Sequence, residues 1–568
     1  MTPTSTSNDS AFLSPLRLAA RWLGLAALAF AGLASLVGSG GGGGGDDPVT
    51  PPPTGPVTLS GVADFESVPS DTGSNGRLLY ASTTNRPIRG ATVQVLAASN
   101  NAVLASGTTS ATGTYSLTIP SAQSVYVRVR AEMLKTSGAG GTWNFTVRDN
   151  TAGDAVYVLD TAAFTPAAAA TTRNVHAPSG WGGSSYTGTR VAGPFSVLDV
   201  TYDAVQKILS ASANQAFPAL QLMWSVNNRP ASGNLATGLI GTSFYTQGGS
   251  GHRIYILGAA DTDTDEYDRP VVAHEFGHYM QSAFSRDDSI GGSHSGGDKL
   301  DMRVAFSEGW GNAWSGMALA TQYYTDSGGA GQQSGFRVDL AAAPAVGDRG
   351  WYSERTVQYL MYSWNANGAI GFTPIFTVLA AMPTTLPADG ALSAIHSFAF
   401  RLKQAVPGQA AAIDTQLAGV SITAASPVGA GESNSGGIPE ALPVYRTHTA
   451  AFGAAQNYCL TDAAGQGDFE PNKLGAHIFI RFTLATAGTR SISVAQTTGG
   501  VTSDPDFRLY RSDGTEADFE TDAATNENTG PIALGAGTHV IALEDYTLTR
   551  GTNAATNNGT RCFNVTIQ

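Results

Sequence analysis

The hydrophobic period of this chain changes twice along its length, and that change limits the folds open to it. In residues 57–133 the runs ATVQVLA (91–97), TYSLTIP (114–120) and VYVRVRA (125–131) alternate apolar and polar side chains, with Gly90, Gly107 and Gly113 between them. Alternation with period two marks half-buried strands separated by turns. Residues 195–450 read differently. FSVLDVTYDAVQKILSAS (195–212) has the spacing of an amphipathic helix, HRIYILG (252–258) reads as a strand, and helix-compatible stretches follow at 270–285, 302–324, 353–365, 371–381 and 390–404. From 455 to 568 the period returns to two, in HIFIRFTLA (477–485), RSISVAQ (490–496), DFRLYRS (506–512), THVIALEDY (538–546) and CFNVTIQ (562–568). The chain therefore reads as multidomain, an α+β domain flanked by two small β-sandwich domains. Residues 134–194, rich in Ala, Gly and Thr, are a linker, a propeptide or the start of the α+β domain.

Charge narrows the function. Lys and Arg total 31 against 44 Asp and Glu, a net charge of -13. A nucleic-acid binder is normally basic, so that class is set aside, as is a polybasic membrane-surface protein. Arg17 and Arg21 precede an apolar run at 22–37, WLGLAALAFAGLASLV. This is the charged region and apolar core of a secretory signal peptide, assigned to 1–37, with a signal anchor as the alternative. The run falls short of the ~20 residues a spanning helix needs, so no stable membrane insertion follows signal removal. Residues 38–56 form a Gly-rich then Pro-rich linker, and Ser39 stands where a lipid-anchored protein would need Cys. The two cysteines, Cys459 and Cys562, pair in an oxidising compartment, two buried thiols being the alternative. These features predict a secreted or extracytoplasmic protein.

The chemistry concentrates in His274-Glu275-Phe276-Gly277-His278. On a helix, residues four apart lie about 40° apart around the axis, so both imidazoles project from one face and can grip one Zn2+ ion. Glu275 then sits beside the metal, placed to take a proton from a water. Pro270 suits a helix start, and Gly277 is the one breaker in PVVAHEFGHYMQSAF. A third ligand is required. His294, in the loop SRDDSIGGSHSGGDK, is one candidate and a solvated loop histidine otherwise; Glu308, in AFSEGWGNAWSG, is the stronger one. Val304, Ala305, Phe306, Trp310 and Ala313 surround Glu308, and a carboxylate among such neighbours is costly unless paired or bound to metal. Gly309, Gly311 and Gly316 each weaken a helix by about 1 kcal/mol, so three together point to a close partner helix.

HEFGH followed by EGWGN resembles the gluzincin zinc metallopeptidases, with a second segment similar to the fungalysin-like Glu-Gly-Trp motif. The resemblance rests on about 45 residues. It implies a zincin-like catalytic domain over 195–450, with His274, His278 and Glu308 as zinc ligands and Glu275 as general base. Two departures stand out: Glu308 follows His278 by 30 positions, and Asn312 occupies a place where the family often has an Asp that orients a ligand histidine. Residues 57–133 resemble carboxypeptidase regulatory-like domains, and DPDFRLYRSDGT…IALGAGTHVIALEDY within 455–568 resembles bacterial pre-peptidase C-terminal domains. Such modules accompany secreted enzymes.

These observations predict a hydrolase, a secreted zinc metalloprotease acting on protein or peptide substrates. A non-catalytic secreted binding protein or adhesin with a retained zinc site, or a closed structural metal site that uses His294 as a fourth ligand, are the alternatives. For the rest of the site, Tyr352 is the first candidate for stabilising an oxyanion, with Tyr359 and His396 behind it, His396 otherwise being a core residue. In gluzincins an edge strand before the zinc helix binds extended substrate, which here falls around residues 256–259. The acidic loop DTDTDEYD (261–268) offers oxygen ligands to Ca2+, as do Asp287, Asp288, Asp298 and Asp301. Because the loop lacks the glycine of an EF-hand, solvated charge is the competing reading.

Overall fold

A computed structural model describes residues 53–465, 470–498, 503–519, 526–549 and 559–568. The signal peptide assigned to 1–37 and most of the 38–56 linker lie outside the described residues.

The N-terminal sandwich is organised by one long strand, Val57–Ser67. It pairs antiparallel with Thr84–Pro87 and Thr114–Ile119, and parallel with Ala170–Thr172 and Val175–Ala177. The second sheet runs in the order Val158–Asp160, Val125–Arg130, Thr92–Ala97, Val103–Thr108. Val57, Leu59, Phe65, Val93, Val95 and Val127 fill the space between the sheets, as their alternation predicts. Residues 134–194 turn out to serve both units. Trp143–Asp149 enters the central sheet, whereas 158–177 returns to the sandwich, which therefore extends past residue 133. The returning strands are three residues each, too short to carry a readable period.

The central sheet is ordered Phe244–Gly248, Gly251–Ile256, Leu220–Trp224, Trp143–Asp149, Glu132–Lys135, with Ala155–Val156 paired to Trp143–Asp149. Against it lie helices α1 (Ala192–Ala211) and α2 (Arg269–Phe284). α2 packs on α3 (Met302–Leu319), and α3 on α4 (Glu354–Ala366). Helices α5 (Phe372–Asp389), α6 (Ile395–Ala405) and α7 (Ala410–Gly419) complete the domain. The stretch expected to be helical over 302–324 ends at Leu319, and Tyr323–Gly328 is instead a strand paired with Ser334–Asp339.

The glycines explain how tightly α2, α3 and α4 approach. A Cβ on Gly277 would lie 3.0 Å from the Gly311 Cα, and one on Gly309 would meet Val357 at 2.4 Å and the Glu354 carbonyl at 2.7 Å. Trp310 then donates its indole N–H to the Gly277 carbonyl at 3.0 Å. Trp310 and Trp314 are fully buried at this junction. Removing either ring would cost about 3–5 kcal/mol.

The C-terminal sandwich has its own core, including Leu460, Ile480, Val494, Leu509, Ile541, Phe563 and Val565. Its sheets are ordered Tyr445–Thr447, Ile478–Leu484, Gly537–Asp545, Pro505–Tyr510, Glu516–Phe519, and Ala455–Thr461, Thr560–Ile567, Ile492–Thr498, Asn526–Asn528. Cys459 and Cys562 face each other across an antiparallel pair and form a disulfide, as expected.

Candidate metal centre

The predicted ligands meet between α2 and α3. His274 Nε2 and His278 Nε2 are 3.0 Å apart, and Glu308 Oε2 is 3.3 Å from the first and 3.5 Å from the second. All three residues are buried. A metal with four tetrahedral ligands at the 2.0–2.1 Å typical of zinc spans ligand–ligand edges of about 3.3 Å. The triangle matches that size.

Hydrogen bonds orient the rings for such a role. His274 Nδ1 lies 2.9 Å from Asn312 Oδ1, an acceptor, so the proton belongs on Nδ1 and the Nε2 lone pair faces the triangle. His278 Nδ1 lies 3.2 Å from Ser307 Oγ, whose hydroxyl donates to Gln281 Oε1 at 2.9 Å. That leaves the Ser307 oxygen as acceptor, and the His278 Nε2 lone pair also faces inward. Two inward lone pairs and a carboxylate repel one another unless a cation or proton sits among them. The donor set therefore fits a metal ion. Asn312 does the orienting expected of the family's Asp, without its charge. Gly311 is required by the same geometry, since a Cβ there would lie 2.8–3.0 Å from the His274 ring.

Electrostatics follow from burial. Burial raises the Glu275 carboxyl, His274 and His278 pull it down, and the net result is a pKa above the usual value. Burial alone would raise Glu308, but His278 and His294 hold its carboxyl well below the carboxylate range. For His278, burial lowers and Glu308 raises, leaving it pushed up to about 9.

His294 is brought to the site rather than left in solvent. Its side chain is buried, with Nε2 3.5 Å from Glu308 Oε2 and 3.3 Å from Glu354 Oε2. Glu354, in the first turn of α4, went unrecognised in the sequence because an acidic residue after Ser353 looks like ordinary helix capping. Its partner His294 lies 60 residues away, and nothing local signals it.

Other expectations need correction. Tyr352 is buried, but its hydroxyl donates to the Arg349 carbonyl at 3.0 Å and lies 3.2 Å from Asn434 Oδ1. Its single proton is committed there, so the structure does not offer it to the histidine pair. Tyr359 packs against the main hydrophobic core. His396 is buried 3.1 Å from Glu432, a core pair. Gly251–Ile256 is flanked on both sides by strands, and Gly258–Ala259 leaves the central sheet to pair with Asp263–Thr264; the edge of the central sheet on this side is Phe244–Gly248.

Among the acidic candidates, Asp288, Asp298 and Asp301 are answered by Arg286, Lys473 and Arg303. Asp287 is exposed, and its Oδ1 accepts the Ser289 backbone N–H at 2.9 Å. The 261–268 loop is not solvated as a whole: Asp265, Glu266 and Asp268 are buried. Glu266 pairs with Arg190.

No known protein family and no curated protein matches this sequence. Among solved structures, the pre-peptidase C-terminal domain of a collagenase from Bacillus anthracis is similar at 11% identity and TM-score 0.16, over 22% of this chain and 94% of that one. The periplasmic g-type lysozyme inhibitor PliG of Aeromonas hydrophila is similar at 15% identity and TM-score 0.14, over 22% of this chain and 96% of its own. A family 35 carbohydrate-binding module from an environmental isolate is similar at 16% identity and TM-score 0.12, over 21% and 89%.

Proposed function

We propose that this protein is a secreted zinc-dependent endopeptidase. The observation that carries the proposal is the convergence of three buried donors, His274, His278 and Glu308, with an uncommitted oxygen of buried Glu275 beside them. A Zn2+ ion held there would supply Lewis acidity, polarising a peptide carbonyl and acidifying a water. Glu275 would take the proton of the attacking water and deliver it to the leaving amine, a role suited to a carboxyl whose burial lifts its pKa. Extended substrate would lie along Phe244–Gly248, whose outer backbone edge can pair with a peptide. Export is supported by the apolar run at 22–37 and by a disulfide, which persists in oxidising compartments. Among the described residues no helix is long and apolar enough to cross a membrane.

The test is to incubate zinc-loaded protein with denatured proteins, with and without a zinc chelator, and to sequence the new termini. New termini that vanish with chelator and in Glu275→Gln, at unchanged zinc content, are expected. Full zinc loading without any cleavage would leave a binding protein instead.

A closed metal site is the second reading, favoured by His294 beside Glu308. His294→Ala separates the two. An open site keeps its zinc without this imidazole, whereas a four-ligand site loses it.

A further inference from the structure

A second group of oxygen donors, Asp265 buried and Asp263 and Asp326 half-buried, lies at the start of the helix that carries the histidines. Carboxylate oxygens of Asp263, Asp265 and Asp326 lie within 4.8 Å of one another. Asp263 and Asp265 come from the 261–268 loop, and Asp326 from the strand Tyr323–Gly328. A fourth carboxylate, Asp268, belongs to neither the trio nor any ion pair. It is fully buried just before α2, yet makes no capping bond to that helix. Its Oδ2 accepts from Ser327 at 2.5 Å, while its Oδ1 accepts no hydrogen bond among the described residues. Asp326 and Asp265 are the charged groups acting on it most strongly, so this unpartnered oxygen faces like charge. Asp263 Oδ1 is likewise buried without a partner.

Like-charged carboxylates that converge away from water either take up protons or bind a cation. No Lys, Arg or His is among the groups acting most strongly on any of the four. Arg190, a buried cation, is committed to Glu266 and the Gly258 carbonyl. An all-oxygen donor set without nitrogen or sulfur suits a hard ion and not zinc.

We propose that Asp263, Asp265 and Asp326 form a Ca2+ site, with the Asp268 carboxylate beside it, that ties the 261–268 loop to the strand Tyr323–Gly328 at the N-terminus of α2. The placement gives the ion a structural task. Tyr324, on the same strand, sets its ring edge-on to His274 with centroids 6.0 Å apart. The ion would thus fix both the first turn of α2 and the wall behind one zinc ligand. The site stands on its own donors and holds whether or not the zinc centre cleaves peptides.

Terbium luminescence tests it. Tb3+ takes calcium sites, and Tyr324 and Tyr267 can sensitise it. Zinc-loaded full-length protein should show saturable Tb3+ emission that Ca2+ displaces and Mg2+ displaces poorly, and Ca2+ should raise the thermal midpoint at constant zinc content. Asp326→Asn should weaken Ca2+ by about tenfold or more, because ligand charge sets affinity. Asp261→Asn, in the same loop but outside the group, should leave it unchanged. Asp326→Asn relieves repulsion, so without Ca2+ it should be at least as stable as wild type, which excludes misfolding as the cause. Background emission from wild type, displacement by Mg2+ as easily as Ca2+, or equal Ca2+ affinity in both variants would overturn the proposal.

Discussion

Two acidic groups lie along one helix, one at its start and one at its middle, and behave in opposite ways. At the histidine pair, the Glu308 carboxylate is met by His274, His278 and His294 and held well below the ordinary carboxylate range. At the start of α2, burial drives Asp268 and Asp326 well above that range, because the nearest charges are other carboxylates. Desolvation gives opposite outcomes because the sign of the neighbouring charge decides which protonation state survives it. The first group can neutralise itself without an ion through its imidazoles; the second has only protons or an external cation. Nitrogen and carboxylate donors favour zinc, and oxygen alone favours calcium.

The largest expected effect sharpens this comparison at the histidine pair. Glu275→Gln should lower turnover by about 10²–10⁴-fold, the usual contribution of a general base, at unchanged zinc stoichiometry. Parallel loss of zinc and turnover would instead make Glu275 a ligand. Next in size is a control remote from both groups. The disulfide closes a loop of 103 residues. Cys459→Ser with Cys562→Ser should destabilise the C-terminal sandwich by about 2–5 kcal/mol in denaturant melts, without altering zinc or Tb3+ binding. If either ion is lost, the sandwich and the metal-bearing domain are one cooperative unit. Asn312→Ala removes the acceptor that fixes the His274 tautomer. Zinc affinity, measured by competition with a chromogenic chelator, should fall about 10–100-fold. An unchanged affinity would mean the ring is held by packing alone.

The smallest effect concerns a third buried carboxylate, which calibrates the other two. Burial raises Glu432, but hydrogen bonds from His396, the Asn434 N–H and Thr423 outweigh it and hold the carboxyl down to about 2 from 4.5. A depressed folded-state pKa gives stability that is present above the unfolded value and lost as pH falls. Between about pH 4.5 and 2 the wild type should therefore lose stability that Glu432→Gln never had. Equal acid sensitivity of the two proteins in denaturant melts would show that Glu432 contributes no pH-dependent stability.

Much of the site was readable because its signals are local. The four-residue spacing of His274 and His278 needs only a helix to align them, and Glu308 announced itself as a lone carboxylate among apolar neighbours. Three glycines in one helix signalled a close crossing, and Gly277 against Gly311 supplies it. His294 and Glu354 were not readable as a pair, because a loop residue and a helix-start residue carry no mark of each other. Tyr352 illustrates the converse: an aromatic hydroxyl in a suggestive stretch, whose proton is taken by a neighbouring carbonyl.

The succession of β, α+β and β regions, the disulfide partners and the donor types follow from residue identity and period, since propensity and hydrophobic patterning act over a few neighbours. Which strand forms the edge of the central sheet, which loop histidine reaches Glu308, and that Asp326 joins an acidic loop some 60 residues away were decided by tertiary packing alone. Those contacts depend on how sheets and helices close around a shared core, and chain position does not encode that distance.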